Sequence, residues 1–131
     1  IATAGARMGA YHAMNTLGRH PNIFRWTICM SGFYDISRYH QGEWNDYCYF
    51  HNPVFYMANA HSSPTKHKLD TASINVVCGR GPWERVEWSD AMHGSLAAGG
   101  VNHNYDLWGH DVSHDWPWWK KQMDHYIHKL F

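Results

Sequence analysis

One stretch decides the fold: IATAGARMGAYH, from Ile1 to His12. It begins as a short apolar run, and its two glycines, Gly5 and Gly9, lie four residues apart. Small residues at these positions let a chain turn sharply and let the next helix pack close to the strand before it. The stretch therefore predicts a strand over 1–4, a tight turn around Arg7 and a helix over 8–19.

The turn has the pattern Gly-x-Arg-x-Gly, with Arg7 at its centre. A nucleophile elbow, the sharp turn between strand and helix in many hydrolases, has serine at this position. A guanidinium group keeps its proton in proteins and is not a nucleophile. The sequence thus predicts the geometry of an elbow without its serine chemistry.

Length and charge narrow the class of protein. The chain has 131 residues, a common size for one domain, and we expect 1–131 to form a single domain. Its 11 Lys and Arg balance its 11 Asp and Glu, so no basic field is present to attract nucleic acid. No apolar run reaches membrane-spanning length, and no phosphate-binding or dinucleotide glycine loop appears. We expect neither a nucleic-acid partner, nor a membrane span, nor a nucleotide cofactor.

The cysteines and histidines indicate further properties. Cys29, Cys48 and Cys78 form no Cys-x-x-Cys pair, and two of them lie in apolar runs, which favours reduced thiols in a cytoplasmic protein. The chain also has 12 His, which supply metal ligands or proton carriers near neutral pH. Most of these histidines we nevertheless assign to packing and solvated surface.

Apolar runs and helical patterns alternate along the chain. Strands are predicted over 1–4, 24–32, 73–79 and 101–108, and helices over 8–19, 54–60, 82–98 and 115–131. The segment 34–61 is aromatic and is predicted to cap the sheet, and 62–71 is predicted to be a polar linker. This alternation predicts an α/β fold with a parallel sheet of about four strands and helices on both faces.

Several blocks carry a resemblance to a known family: GARMGAYH (5–12), RHP (19–21), SGFYDI (31–36), NP (52–53), CGRGPWE (78–84) and LWGHDVSHDWPWW (107–119). In this order they resemble the esterase branch of the α/β-hydrolases, near esterase D. The resemblance covers nearly the whole chain but only the second half of that fold, its fifth to eighth strands. It implies half of an α/β-hydrolase sheet.

The resemblance also implies roles for individual residues. Arg7 stands where the family has its nucleophilic serine, and the Met8 amide, next after it, is the donor that remains for an oxyanion. The loop that supplies the second oxyanion donor has no counterpart in this sequence. His114 falls at the position of the catalytic histidine, and Glu84, just past the seventh strand, at that of the triad acid.

A half-fold has a physical consequence for assembly. The fifth strand is interior in the parent sheet, so without the first four strands its edge has unpaired amides and carbonyls. A second copy covers such an edge most simply, as a two-fold dimer with one continuous sheet. The sequence predicts a homodimer or a higher homo-oligomer.

The densest group of possible metal ligands is His110, Asp111 and His114, at the end of the last strand. Imidazole and carboxylate groups suit zinc or another divalent ion, and a loop can bring them to one point. A bound ion would activate water and so replace the missing serine. The alternative is that these residues serve a triad without metal, with Asp115 as the N-cap of the last helix.

These observations predict a hydrolase of small activated esters or phosphoesters that works without a serine nucleophile. Its nucleophile is water, activated by the metal or by His114 as general base. Glu84 orients His114, and Arg7 holds an anionic oxygen. One alternative is a catalytically inactive fragment that acts as a self-associating module. Another is an esterase in which Arg7 is a knock-out and a second chain supplies the missing half.

Overall fold

The computed structural model describes residues 1–35 and 51–130. Its elements in chain order are β1 (Ala2–Ala6), α1 (Met8–Arg19), β2 (Trp26–Met30), α2 (Pro53–Ala58), a short 3₁₀ helix (Ala60–Ser62), α3 (Lys66–Thr71), β3 (Ser73–Cys78), α4 (Val86–Ala98), β4 (Asn104–Leu107) and α5 (Trp116–Leu130). The predicted cap over 34–61 lies mostly outside the described residues, and so does Cys48.

The four strands form one parallel sheet in the order β1-β2-β3-β4. Gly5 is paired with Cys29, Cys29 with Val76, and Val76 with Tyr105, so the register continues across the whole sheet. The carboxyl ends of parallel strands meet at one edge, and this is where ligands bind in open α/β sheets. The predicted α/β class and the parallel sheet of about four strands are confirmed.

Two apolar clusters cover the two faces of the sheet. On one face, helices α1, α2 and α4 pack against β2 and β3; this cluster includes Met14, Leu17, Cys29, Met57, Ile74, Val76, Met92 and Leu96. On the other face, Trp119 and Tyr126 of α5 pack against Ile28, Met30 and Val77. Neighbouring residues of a strand thus alternate between the two clusters, as the pleat requires. Helices on both faces are confirmed.

The polar linker predicted over 62–71 is wrong in its second half, where α3 forms. Leu69 is buried in the first apolar cluster and anchors this helix to the core. Lys66 and Asp70, one turn apart, form an ion pair on its outer side. Because α3 buries a single apolar residue, its sequence has no apolar periodicity, and a helix was not predicted there.

The helix predicted to begin at Pro82 begins at Val86 instead. The amide of Glu84 donates a hydrogen bond to the carbonyl of Gly81 at 3.2 Å, which closes a turn. The amide of His114 donates to the Pro82 carbonyl at 3.2 Å and ties this turn to a second loop. Glu84 therefore lies in a loop at the carboxyl edge of the sheet.

Three further features bear on the predictions above. Among the described strands, β1 is at one edge of the sheet.

Cys29 and Cys78 are buried and free, and burial raises the pKa of the Cys29 thiol to about 12. None of the helices in the described ranges is both long enough and apolar enough to cross a bilayer.

Candidate active site

Arg7 lies in a strained turn between β1 and α1. Its φ of 58° and ψ of −121° place it in a left-handed region that residues with a Cβ atom seldom adopt. The Arg7 amide donates to the carbonyl of Met30 at 3.0 Å and fixes the turn to the neighbouring strand. A Cβ atom at Gly5 would lie 2.3 Å from the backbone of Gly9, so the strand and helix touch through backbone atoms. This is the geometry of a nucleophile elbow, with a guanidinium in place of the hydroxyl.

Glu84 and His114 come together in the loops that follow β3 and β4. Glu84 Oε1 lies 3.2 Å from His114 Nδ1, and the two side chains are 1% and 16% exposed. The distance suits an ionic contact, but the groups are not aligned for a hydrogen bond, and Nδ1 has no hydrogen-bond partner in the described part of the chain. Catalytic hydrogen bonds are often poorly aligned before a ligand binds.

Three donors hold the Glu84 carboxylate in place. The Gly79 amide donates to Oε2 at 3.1 Å, the Cys78 thiol donates to Oε2 at 2.9 Å, and the Ser31 hydroxyl lies 2.9 and 3.0 Å from the two oxygens. The indole of Trp119 donates in turn to Ser31 Oγ at 2.9 Å. Burial and the adjacent carboxylate raise the pKa of the Cys78 thiol well above its usual range, so the thiol stays a donor.

Sequence reasoning missed the residues that support Glu84. Ser31 lies 53 residues from Glu84 in the chain, and Trp119 lies 88 residues from Ser31. One signal for Ser31 was present, because it lies at the carboxyl end of a predicted buried strand and so falls at the edge where site residues gather. No sequence signal pointed to the indole of Trp119 as a hydrogen-bond donor.

The two loops that carry Glu84 and His114 touch through their backbones. A Cβ atom at Gly79 would lie 2.4 Å from the carbonyl oxygen of Val112, and one at Gly81 would lie 2.6 Å from the same atom. The Gly81 amide donates to that oxygen at 2.9 Å. Both glycines are required by this close approach, which fixes Glu84 and His114 relative to each other.

A cleft of about 570 Å³ opens at this edge of the sheet. Arg7, Met8, Arg85 and His114 line it, together with the aromatic rings of Phe33, Trp83 and Trp88. Neither guanidinium group has a hydrogen bond or an ion pair with another residue of the described ranges. The cleft therefore has two available cations and a histidine, and Glu84 lies buried behind that histidine.

The predicted metal ligands do not meet. His110 and Asp111 are exposed, and the Asp111 carboxylate turns back over Gly109, 2.7 Å from where a Cβ atom of that glycine would lie. In residues 1–35 and 51–130, no three His, Cys, Asp or Glu side chains are grouped to hold one metal ion. Of the predicted set, only His114 reaches the cleft.

Comparisons with known proteins place this geometry in context. No protein-family model and no curated protein matches the sequence. Among solved structures, a ferulic acid esterase superposes with a TM-score of 0.74 at 22% identity, over 98% of this chain and 51% of the esterase. The chain has the fold of one half of an α/β-hydrolase. The elbow at its start and the histidine loop at its end identify this as the second half.

Two further structures give the same result. An S-formylglutathione hydrolase from Staphylococcus aureus has a TM-score of 0.69 at 19% identity, over 98% of this chain and 49% of the hydrolase. A fluorophosphonate-binding serine hydrolase from the same organism has a TM-score of 0.70 at 18% identity, over 98% of this chain and 52% of that protein. The chain thus spans about half the length of each of these three proteins.

Proposed function

We propose that the chain provides a hydrolytic site for small activated esters or phosphoesters, in which His114 activates water. The observation that supports this most directly is the contact of 3.2 Å between His114 and the buried Glu84 carboxylate, next to a cleft that Arg7 also lines. The solved structures with this fold are named as esterases or serine hydrolases. Their names support ester hydrolysis as the reaction class. Because this chain has Arg7 at the centre of the elbow, no serine is present there to act as the nucleophile.

The proposed reaction uses groups that this chain contains. Because His114 Nδ1 faces Glu84, Nε2 is the nitrogen left to take a proton from the attacking water. The hydroxide adds to the ester carbon or phosphorus, and His114 returns the proton to the leaving oxygen when the ester bond breaks. Glu84 stabilises the imidazolium in between. Arg7 binds the anionic oxygen, and the Met8 amide is the proposed donor to the developing charge.

Activation of water by a bound metal ion stays a prediction, separate from the reaction described above. His110, Asp111 and His114 do not converge on one point among the described residues, so none of the proposed steps uses a metal ion. Elemental analysis of untagged protein, with activity measured after chelation and after addition of Zn²⁺, tests it. Stoichiometric zinc with activity that depends on it would favour the metal over His114 acting alone.

A second candidate function is a module without catalysis that associates with itself. Arg7 favours it, since the guanidinium fills the place of the attacking hydroxyl. The β1 edge also favours it: Ile1 is 76% exposed, and Ala2 and Ala4 are exposed as well. An edge of this kind pairs readily with another strand. We therefore propose a homodimer through β1, and sedimentation of a stable monomer at micromolar concentration would contradict it.

The proposed location is cytoplasmic. Two buried free thiols, Cys29 and Cys78, support a reducing compartment. Fractionation of the source cells, with detection of this chain, tests the assignment.

Turnover of 4-nitrophenyl acetate and 4-nitrophenyl phosphate tests the hydrolytic site. We expect His114→Ala to lower kcat/KM by about 10² to 10⁴-fold, the usual contribution of a general base. Glu84→Gln should lower it too, whereas His67→Ala, which changes an exposed histidine on α3, should not. Absence of turnover in a folded wild-type protein would leave the self-associating module as the function.

A further inference from the structure

Trp83 occupies a position in its turn that ordinarily favours glycine. The hydrogen bond from the Glu84 amide to the Gly81 carbonyl encloses Pro82 and Trp83 as the two central residues. Proline fixes a negative φ at the first of them, and Trp83 has a φ of 69° at the second. This is the pattern of a type II turn, whose second central position requires a positive φ. A bulky side chain is strained there, and glycine is not.

Nothing in the described part of the protein compensates this strain. Trp83 is 83% exposed, so its burial contributes little to stability. Its indole has no hydrogen bond, ring contact or cation contact with another described residue. Strained residues of this kind concentrate at ligand sites, where the strain belongs to the function. An exposed tryptophan on the rim of a cleft is therefore best explained by what enters the cleft.

Two more aromatic rings extend the surface that Trp83 begins. Phe33 and Trp88 also line the cleft, with their ring centroids 5.9 Å apart and their planes at 66°. Trp88 lies in the first turns of α4, a few residues after Trp83, so the loop and the helix present indoles to the same space. Aromatic rings bind other planar rings by stacking and edge contacts.

The same cleft attracts negative charge. Arg7 and Arg85 line it, and neither has an ion pair with a described residue. No acidic side chain lines the cleft among the described residues, because the Glu84 carboxylate faces inward to its three donors. A guanidinium binds carboxylate or phosphate oxygens through two parallel hydrogen bonds.

From this juxtaposition we propose that the cleft selects ligands in which an aromatic ring lies next to an anionic oxygen group, a phosphate or a carboxylate. Trp83 stacks on the ring, and Arg7 and Arg85 bind the anion. The inference rests on the cleft of the proposed function and names its substrate class. It does not require that the bound molecule is hydrolysed.

Calorimetric titration with phenylphosphonate and methylphosphonate tests this proposal, because neither compound contains a hydrolysable ester bond. We expect wild type to bind phenylphosphonate at least tenfold more tightly, and Trp83→Gly to abolish that preference. Trp116→Ala, which removes an exposed tryptophan on α5 that does not line the cleft, should retain it. Arg85→Gln should weaken both ligands, while Arg80→Gln, in the preceding loop, should not. Titration with benzoate distinguishes a carboxylate from a phosphate as the preferred anion.

Thermal unfolding of Trp83→Gly is the second readout. Glycine suits the turn, so the Tm should rise or stay unchanged while the aromatic preference disappears. Equal affinity of wild type for the two phosphonates, or a Tm of Trp83→Gly several degrees below wild type, would overturn the inference. An intact preference without ester turnover would reject only the hydrolytic function, and turnover with equal phosphonate affinities would reject only the substrate class.

Discussion

The indole Nε1 of Trp119 donates a hydrogen bond to the hydroxyl of Ser31 at 2.9 Å. This contact joins the last helix to the carboxyl end of β2. Ser31 in turn donates to the Glu84 carboxylate, so α5 contributes to the position of the proposed acid. The rings of Trp119 and His114 also pack edge to face, with centroids 5.0 Å apart. One side chain of α5 thereby supports both members of the proposed acid and base pair.

Replacing that donor should have a measurable cost. Trp119→Phe keeps an aromatic ring in the core and leaves Ser31 without its indole partner. We expect the free energy of unfolding to fall by about 1 to 3 kcal/mol, since a hydrogen bond is lost and ring volume is removed. Urea denaturation measures it. Trp118→Phe, one residue earlier and only half-buried, should cost clearly less, and equal losses would contradict the assigned contact.

Replacing Gly5 and Gly9 by alanine should have opposite effects on the stability of the protein. A Cβ atom at Gly5 would meet the Gly9 backbone at 2.3 Å, so Gly5→Ala should destabilise the fold by more than about 2 kcal/mol. A Cβ atom at Gly9 would meet no described atom within 4 Å outside its own helical turn. Gly9→Ala should therefore stabilise the protein by up to about 1 kcal/mol, because alanine is the better helix former. Thermal and urea unfolding compare the two variants, and similar effects would refute the close approach.

Arg7→Ser should restore the missing hydroxyl at the elbow. The positive φ at Arg7, the His114 ring in the same cleft and the buried Glu84 would then form a nucleophile, a base and an orienting acid. We expect covalent labelling of this variant by a fluorophosphonate, seen as added mass on the peptide that contains residue 7. Arg7→Ala, which has the same backbone and no hydroxyl, is the control. An unlabelled Arg7→Ser variant would show that the cleft does not assemble a serine triad.

Stability should fall in alkaline solution because of two buried thiols. Burial raises the pKa of Cys29 to about 12, and burial and Glu84 raise the pKa of Cys78 further above its ordinary value of 9.0. Above pH 9 the unfolded chain loses these protons while the folded protein keeps them, so the folded state binds more protons and loses stability as pH rises. Urea unfolding at pH 7, 9 and 10 should show a decreasing free energy.

A second experiment tests the burial of Cys29 and Cys78 directly. Alkylation at pH 8, followed by peptide mapping, should leave Cys29 and Cys78 unmodified in the folded protein and modify both in urea. Fast labelling of either thiol under native conditions would contradict its burial.

The fold class was predictable because the two central strands, β2 and β3, are short apolar runs buried on both faces, and helical patterns alternate with the strands along the chain. The elbow was predictable for a local reason as well. Gly5 and Gly9 lie close in the sequence, and the contact that requires Gly5 joins exactly these two residues. Residues this close in the sequence also lie close in the folded chain, so their contact can be predicted from the sequence.

The rest depended on contacts between distant residues. The support of Glu84 comes from Ser31 and Trp119, which no sequence spacing connects to it. The grouping of His110, Asp111 and His114 was inferred from nearness in the sequence. In the loop, however, consecutive side chains point in different directions, and only His114 lines the cleft. The strained φ of Trp83 had no sequence signal beyond the proline before it.

The backbone contacts of Gly79 and Gly81 with Val112 couple the two loops mechanically. Neither loop can open without breaking contacts with the other, so amide hydrogen exchange should report one shared opening free energy for both. Lengthening either loop by a single residue would separate Glu84 from His114 even if both side chains were kept. Changes of ligand specificity are therefore best sought in the side chains on the rim, at unchanged loop length.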